Sequence, residues 1–119
     1  AWSTAEQRSL LDDELAIAAD RVALAACTRR VQEDFDNPAE AKVFTALVNE
    51  SGVPDAAALT ATAQILYDRI LRRDATEAEA RALTEFHAEV MAETNDDGRR
   101  RWAQLACFSV ATTLEALFY

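Results

Sequence analysis

Apolar residues return along this chain at helical spacing, and polar breaks divide them into five blocks. In the first block Leu10, Ile17, Leu24 and Val31 recur every seven residues. Leu11, Leu15, Ala18 and Val22 form a second stripe. Two stripes predict burial on two sides, as in the central helix of a bundle. Glu14 and Arg21 fall between the stripes, which predicts partial burial and a need for partners. Ser3, Thr4, Ala5 and Glu6 read as a capping box that opens this helix. Acids crowd its first half, and Arg29 and Arg30 are expected at its end, both in keeping with the helix dipole.

The breaks carry start and stop chemistry. Asn37-Pro38 predicts a second helix, with Asn as cap and Pro at the first position. Val43, Phe44, Leu47 and Val48 give it one apolar face, and Ser51-Gly52 with Pro54 ends it. A third helix starts at Pro54 or Asp55 and runs to about Arg72, with Leu59, Ala63, Leu66 and Ile70 inward. Thr76 to Glu79 is a capping box for a fourth, with Ala82, Leu83, Phe86, Val90 and Met91 inward. Asn95 to Gly98 is a polar break. The fifth helix is expected from about Arg99 to the C-terminus, burying Ala103, Ala106, Cys107, Val110, Ala111, Leu114, Leu117 and Phe118. Trp102 and Phe108 fall towards its polar side, where they either cover a loop or mark a contact patch. Together these elements predict an all-α fold, a single bundle of about five helices spanning residues 1–119.

Composition agrees. The 119 residues contain two Gly and two Pro, and half are apolar, as suits helices around one core. The net charge of −9 argues against nucleic acid and anionic membrane surfaces, which both need a basic footprint. No apolar run approaches the roughly 20 residues of a membrane span, so no membrane insertion is expected. The first twenty residues are acidic and amphipathic and do not read as a signal peptide. Leu24 to Cys27 has the form of a lipoprotein cleavage box, but Asp20 and Arg21 interrupt the apolar segment such a box requires.

Candidate chemistry is sparse. Glu93 to Gly98 has oxygen ligands at alternate positions and Gly at the sixth, like a calcium loop. Gln104 then stands where a bidentate Glu is needed, and Arg100 where an apolar residue is usual. The expected role is a polar turn, with Asp96 or Asp97 capping the next helix. Arg99, Arg100 and Arg101 occupy a helix's first turn, against the dipole preference for anions there. They are either a docking point for a phosphate or an acidic partner, or are neutralised by nearby acids. His87 is the only histidine and is expected as an ordinary helix-face residue. No metal cluster, cofactor motif or nucleotide-binding glycine loop is present. Nor is there a nucleophile–base pair, so no enzymatic activity is expected.

Cys27 and Cys107 meet if the first and last helices pack antiparallel. They are then either a disulfide or two buried thiols, depending on redox compartment.

The segment Leu66-Tyr-x-Arg69-x-Leu71-x-Arg73, then Thr76-x-x-Glu79 and Leu83, resembles a helical hairpin in large exported proteins of planctomycetes and related bacteria, families of unknown function. Trp102-Ala-Gln-Leu105 with Glu115, Phe118 and Tyr119 echoes the helix that follows. The chain has Ala75 where the family usually has Pro, and the likeness covers the C-terminal half. The resemblance implies an exported, non-catalytic helical module and favours the disulfide. The functional expectation is therefore an interaction or structural module that binds another protein or itself, with Arg99, Arg100, Arg101, Trp102 and Phe108 as candidate contacts. The alternative is an acidic inhibitor or immunity-type protein that binds a basic partner.

Overall fold

The fold is built around its shortest full helix. The computed structural model describes residues 4–49 and 52–113, and within them the side chains from residue 18 onward. The described elements are α1 (Thr4–Asp36), α2 (Thr45–Val48), α3 (Ala56–Leu71), α4 (Glu77–Glu93) and α5 (Arg99–Ala111), with no strand among the described residues. Helix α5 packs against α1, α3 and α4. Its Trp102, Ala103, Ala106, Cys107 and Val110 are buried. Ala103 and Ala106 have no exposed surface, nor has Ala63 of α3, and these small residues let the helices approach closely.

Helix α1 is thus not the central element that its two stripes suggested. Of its described side chains, the buried ones are Cys27, Val31 and Asp34, near its C-terminal end. Val22 is 70% exposed and Leu24 47%, and Ala18 and Arg21 are exposed as well. The reason is length: 33 residues make a helix of about 50 Å, far longer than the others that could cover it. The molecule measures 60 × 29 × 28 Å, and its radius of gyration of 16.3 Å exceeds the roughly 13–14 Å of a compact chain this size. Leu10, Leu11, Glu14, Leu15 and Ile17 lie outside the described side chains, as does the Ser3–Glu6 box. Helix α1 also continues beyond Arg29 and Arg30. Its last turns are laced by Arg29–Glu33 (2.9 Å), Arg30–Glu33 (2.8 Å) and Arg30–Asp34 (3.1 Å), pairs at helical spacing.

The expected helix at Asn37 is only a 3₁₀ turn, Pro38–Glu40, whose Asn37 side chain makes no cap bond. Asp34 interrupts it. Its buried carboxylate accepts from the backbone N–H groups of Lys42 (3.2 Å), Val43 (2.9 Å) and Phe44 (2.9 Å). The chain is extended past its first turn to reach that acceptor, and α2 shrinks to one turn. Phe44 and Leu47 then fill the core with no exposed surface.

The α3–α4 hairpin follows its sequence signals closely. Asp55 caps α3 by accepting from Ala58 N–H at 2.8 Å. Leu59, Ala63 and Leu66 are buried, joined by Thr62 and Tyr67, and Ile70 is half-buried. Arg72 ends the helix in the left-handed region, at φ 58°. Gln64 holds the corner from both sides, accepting from Ala75 N–H (2.9 Å) and donating to Ala75 O (3.3 Å). Thr76 and Glu79 form the full capping box. Arg73 grips Glu79 through two bonds of 2.8 and 2.9 Å and lies 5.1 Å from the Tyr67 ring centre. That grip, with the Thr76 N–H, lowers the Glu79 carboxyl to about 2. Its native form is therefore fully favoured above the ordinary carboxylate range and weakened as the pH falls towards 2.

On α4 the buried face is Ala80, Leu83, His87 and Val90. Ala82 and Met91, expected inside, are exposed, and Phe86 is half-buried. Helix α5 ends at Ala111 rather than continuing. The Thr112 hydroxyl donates to Phe108 O (2.8 Å) and that of Thr113 to Val110 O (3.1 Å), competing with the helix ladder. Leu114, Glu115, Leu117, Phe118 and Tyr119 lie outside the described residues.

Candidate functional site

The turn entering α5 was the segment whose sequence broke a rule, and its three arginines have three different fates. Gly98 precedes it at φ 69°, and a side chain there would press on the Met91 backbone at 3.1 Å. Only Gly fits that approach. Asp96 accepts from Gly98 N–H (2.7 Å), and Asp97 from Arg99 N–H (3.0 Å). The Asp96 and Asp97 carboxylates of the calcium-like loop thus hold the backbone that leads into α5, but neither is the expected cap: the N-cap is Gly98, with no side-chain cap bond. Among the described residues no group of three or more His, Cys, Asp or Glu could hold a metal ion.

Arg99 is drawn inward. Its side chain is only 15% exposed and meets Asp97 at 2.8 Å. It donates to Leu47 O at 2.7 Å and to Gly52 O. A cation tolerates the positive end of α5 because it is tied to an anion and to carbonyls of α2 and of the α2–α3 connection. Arg99 is thus a clamp between distant segments. Arg100 pairs with Asp36 at 3.6 Å and lies 5.6 Å from the Phe35 ring centre. Arg100 nevertheless stays about half exposed, its side chain at 53%, and Arg101 is exposed as well, with Gln104 at 3.4 Å.

Reversal of all three arginines is therefore not a neutral surface change. Arg99→Met is expected to cost about 1–3 kcal/mol, because the carbonyl of buried Leu47, that of Gly52 and Asp97 lose a charged donor. Arg101→Glu is expected to change stability by less than about 0.5 kcal/mol. Urea midpoints of the two variants check this, and equal midpoints would refute the clamp.

Trp102 is not part of an exposed edge. It has no exposed surface, and its indole Nε1 donates to Leu83 O at 2.8 Å. The polar end of the ring finds a buried acceptor, so the ring enters the core from the apparently polar side of α5. His87 packs edge-on against it, with centroids 6.3 Å apart. His87 Nε2 lies 2.9 Å from Asp97 O. A carbonyl only accepts, so Nε2 carries the proton. His87 is thus a buried brace between α4 and the Asp97 loop. Phe108 is half-buried. It shares one face of α5 with Arg101 and Leu105 by helical register. Arg101 and Leu105 line a hollow of about 340 Å³ with Phe86, Glu89, Val90 and Glu93.

Cys27 and Cys107 form a disulfide. Gln104 Nε2 donates to Thr28 Oγ1 at 2.9 Å, and Arg100 reaches Asp36. Contacts that run up α1 as they run down α5 make this pair antiparallel, the condition the cysteines needed. Beside the bridge, between α1, α3 and α5, lies a hollow of about 480 Å³. Its walls include Ala26, Val43, Leu66 and Ile70, with Arg29, Arg30 and Arg69 beside them. It can take an apolar group next to a cation. No spacing in the sequence signalled it, because its walls come from four separated segments.

The class this defines is a disulfide-bonded all-α bundle. Among the described residues no helix is long and apolar enough to cross a membrane. Comparison with family models, with curated proteins and with solved structures finds no match to this chain.

Proposed function

We propose that the protein is a non-catalytic helical interaction module of an exported assembly. The observation that carries this reading is α1. In this 33-residue helix the buried members among the described side chains are Cys27, Val31 and Asp34, while Val22 and Leu24 are left exposed. Apolar side chains held out on a rigid helix are a means of engaging another macromolecule. The residues with chemical potential support the same reading through their employment. Both cysteines are in a bridge, His87 braces a loop, and Asp34 caps α2 from a distance. The disulfide favours an oxidising, exported setting, as does the likeness of the Leu66–Phe86 hairpin to exported planctomycete proteins.

A photo-crosslinking residue placed at Val22 in producing cells tests the reading. Covalent adducts are expected from that position and not from exposed Arg81 on α4. Equal yields from both, or none from Val22, would remove the basis for an interaction role.

A further inference from the structure

The partner for α1 is encoded in α1 itself. Advancing by about 100° per residue, Leu11, Leu15, Ala18 and Val22 fall within one strip of roughly 60°. Cys27, Val31 and Asp34 face the bundle, and they fall on the opposite side of the helix. The described members of the strip agree, Ala18 being exposed and Val22 70% exposed. The strip follows a heptad seam, with Leu15 and Val22 at one core position and Leu11 and Ala18 at the other. Glu14 and Arg21, seven residues apart, occupy the same flanking position beside it.

We propose that this strip docks on the same strip of a second copy, antiparallel. This pairing rests on the interaction-module reading and gives that module its partner. In an antiparallel pair, residues of one flanking position face each other across the seam. Glu14 of each copy then meets Arg21 of the other, so both charges are satisfied twice by one symmetry axis. In a parallel pair the same two residues face Ala19 and Ala26, which offer them nothing.

The seam layers also match in size, since Leu15 falls opposite Ala18 and Leu11 opposite Val22. Charge along the helix favours the same direction. Residues 4–20 hold five carboxylates and one guanidinium, whereas residues 21–30 hold three guanidiniums and no carboxylate. Antiparallel pairing lays the acidic stretch of each copy along the basic stretch of the other. Because the strip points away from α5, each bundle stays on the outer side of its own helix, and the two do not compete for space. The seam spans little more than two heptads, so the dimer is weak and concentration-dependent.

Sedimentation equilibrium of the whole disulfide-bonded chain over a range of concentrations tests this. A monomer–dimer equilibrium is expected. Val22→Asp should weaken it by roughly tenfold or more without shifting the unfolding midpoint. Glu14→Arg and Arg21→Glu should each weaken it, and the double exchange should restore it. A chain that stays monomeric at every concentration, or a dimer indifferent to these changes, overturns the proposal. Crosslinking from position 22 separates the two levels. Adducts of twice the chain mass support self-association. Adducts with a different protein overturn it while leaving the interaction module standing, and no adduct sinks both.

Discussion

Removing the Cys27–Cys107 bridge is expected to cost about 4–5 kcal/mol, the value the chain-entropy model gives for a loop of this length. The two cysteines are 80 residues apart in sequence, so the bond closes most of the described chain into one loop. Its main effect is on the unfolded state, which loses conformations when its ends are tied. In the folded state the reduced side chains would remain small buried hydrophobes at the same interface. A loss of that size is a large share of the roughly 5–15 kcal/mol that holds a domain together. It corresponds to a fall in Tm of roughly 15–20 °C for a chain of this length. Cys27→Ala, Cys107→Ala and the double variant should lose nearly the same amount, since each breaks the same bond and the costs cannot add. Thermal unfolding of the three variants and of the native chain, with and without reductant, decides it. A loss below about 1 kcal/mol, or additive single losses, would show that the bridge constrains little.

What could be read in the sequence was what neighbours in sequence decide. Thr76 and Glu79 are three residues apart and cap α4 as their spacing requires. Asp55 caps α3 in the same local way. The meeting of Cys27 with Cys107 was legible only as a condition, that the first and last helices pack antiparallel, and the structure meets it with a disulfide. Three misses involved a partner on another segment of the chain. Asn37 carried a good cap signature, yet Asp34 outcompetes it by taking three amides eight to ten residues away. For Arg99 the sequence left docking or neutralisation open; Asp97 neutralises it, but its carbonyl partners, 52 and 47 residues back, had no local signal. Trp102 looked peripheral because a wheel counts its polar neighbours on α5 and not the Leu83 carbonyl across the interface.

The reading of α1 failed for a different reason. Periodicity shows that two faces are apolar, but not whether this chain or another molecule covers them. The second stripe of α1 was legible as a stripe, and its exposure is the finding.

Asp34→Ala is expected to cost about 3–5 kcal/mol, the range for stripping one member from a buried charged network. The Asp34 side chain is 1% exposed. Its carboxylate serves the amides of Lys42, Val43 and Phe44 and the guanidinium of Arg30. Alanine leaves the buried Val43 and Phe44 amides with no acceptor there, whereas Arg30 keeps Glu33. Asp34→Asn keeps the shape but turns one acceptor into a donor aimed at donors, so it should fall close to alanine rather than close to the native chain.

The pH dependence separates this role from simple packing. Burial pushes the Asp34 carboxyl up, but the amides of Phe44, Val43 and Lys42 with Arg30 outweigh it, and the group titrates below its ordinary value. A depressed native pKa contributes stability in full above the unfolded value, and that contribution is lost as pH falls through the native one. The gap between the native chain and Asp34→Asn in urea-derived stability should therefore be flat near neutrality. It should close as acid protonates Asp34. A gap that stays constant into acid would mean that the site needs only the side chain's shape. Amide exchange locates the effect: protection at Val43, Phe44 and Leu47 should fall first in the variant, because these residues are seated in the core only while Asp34 holds the turn that precedes them.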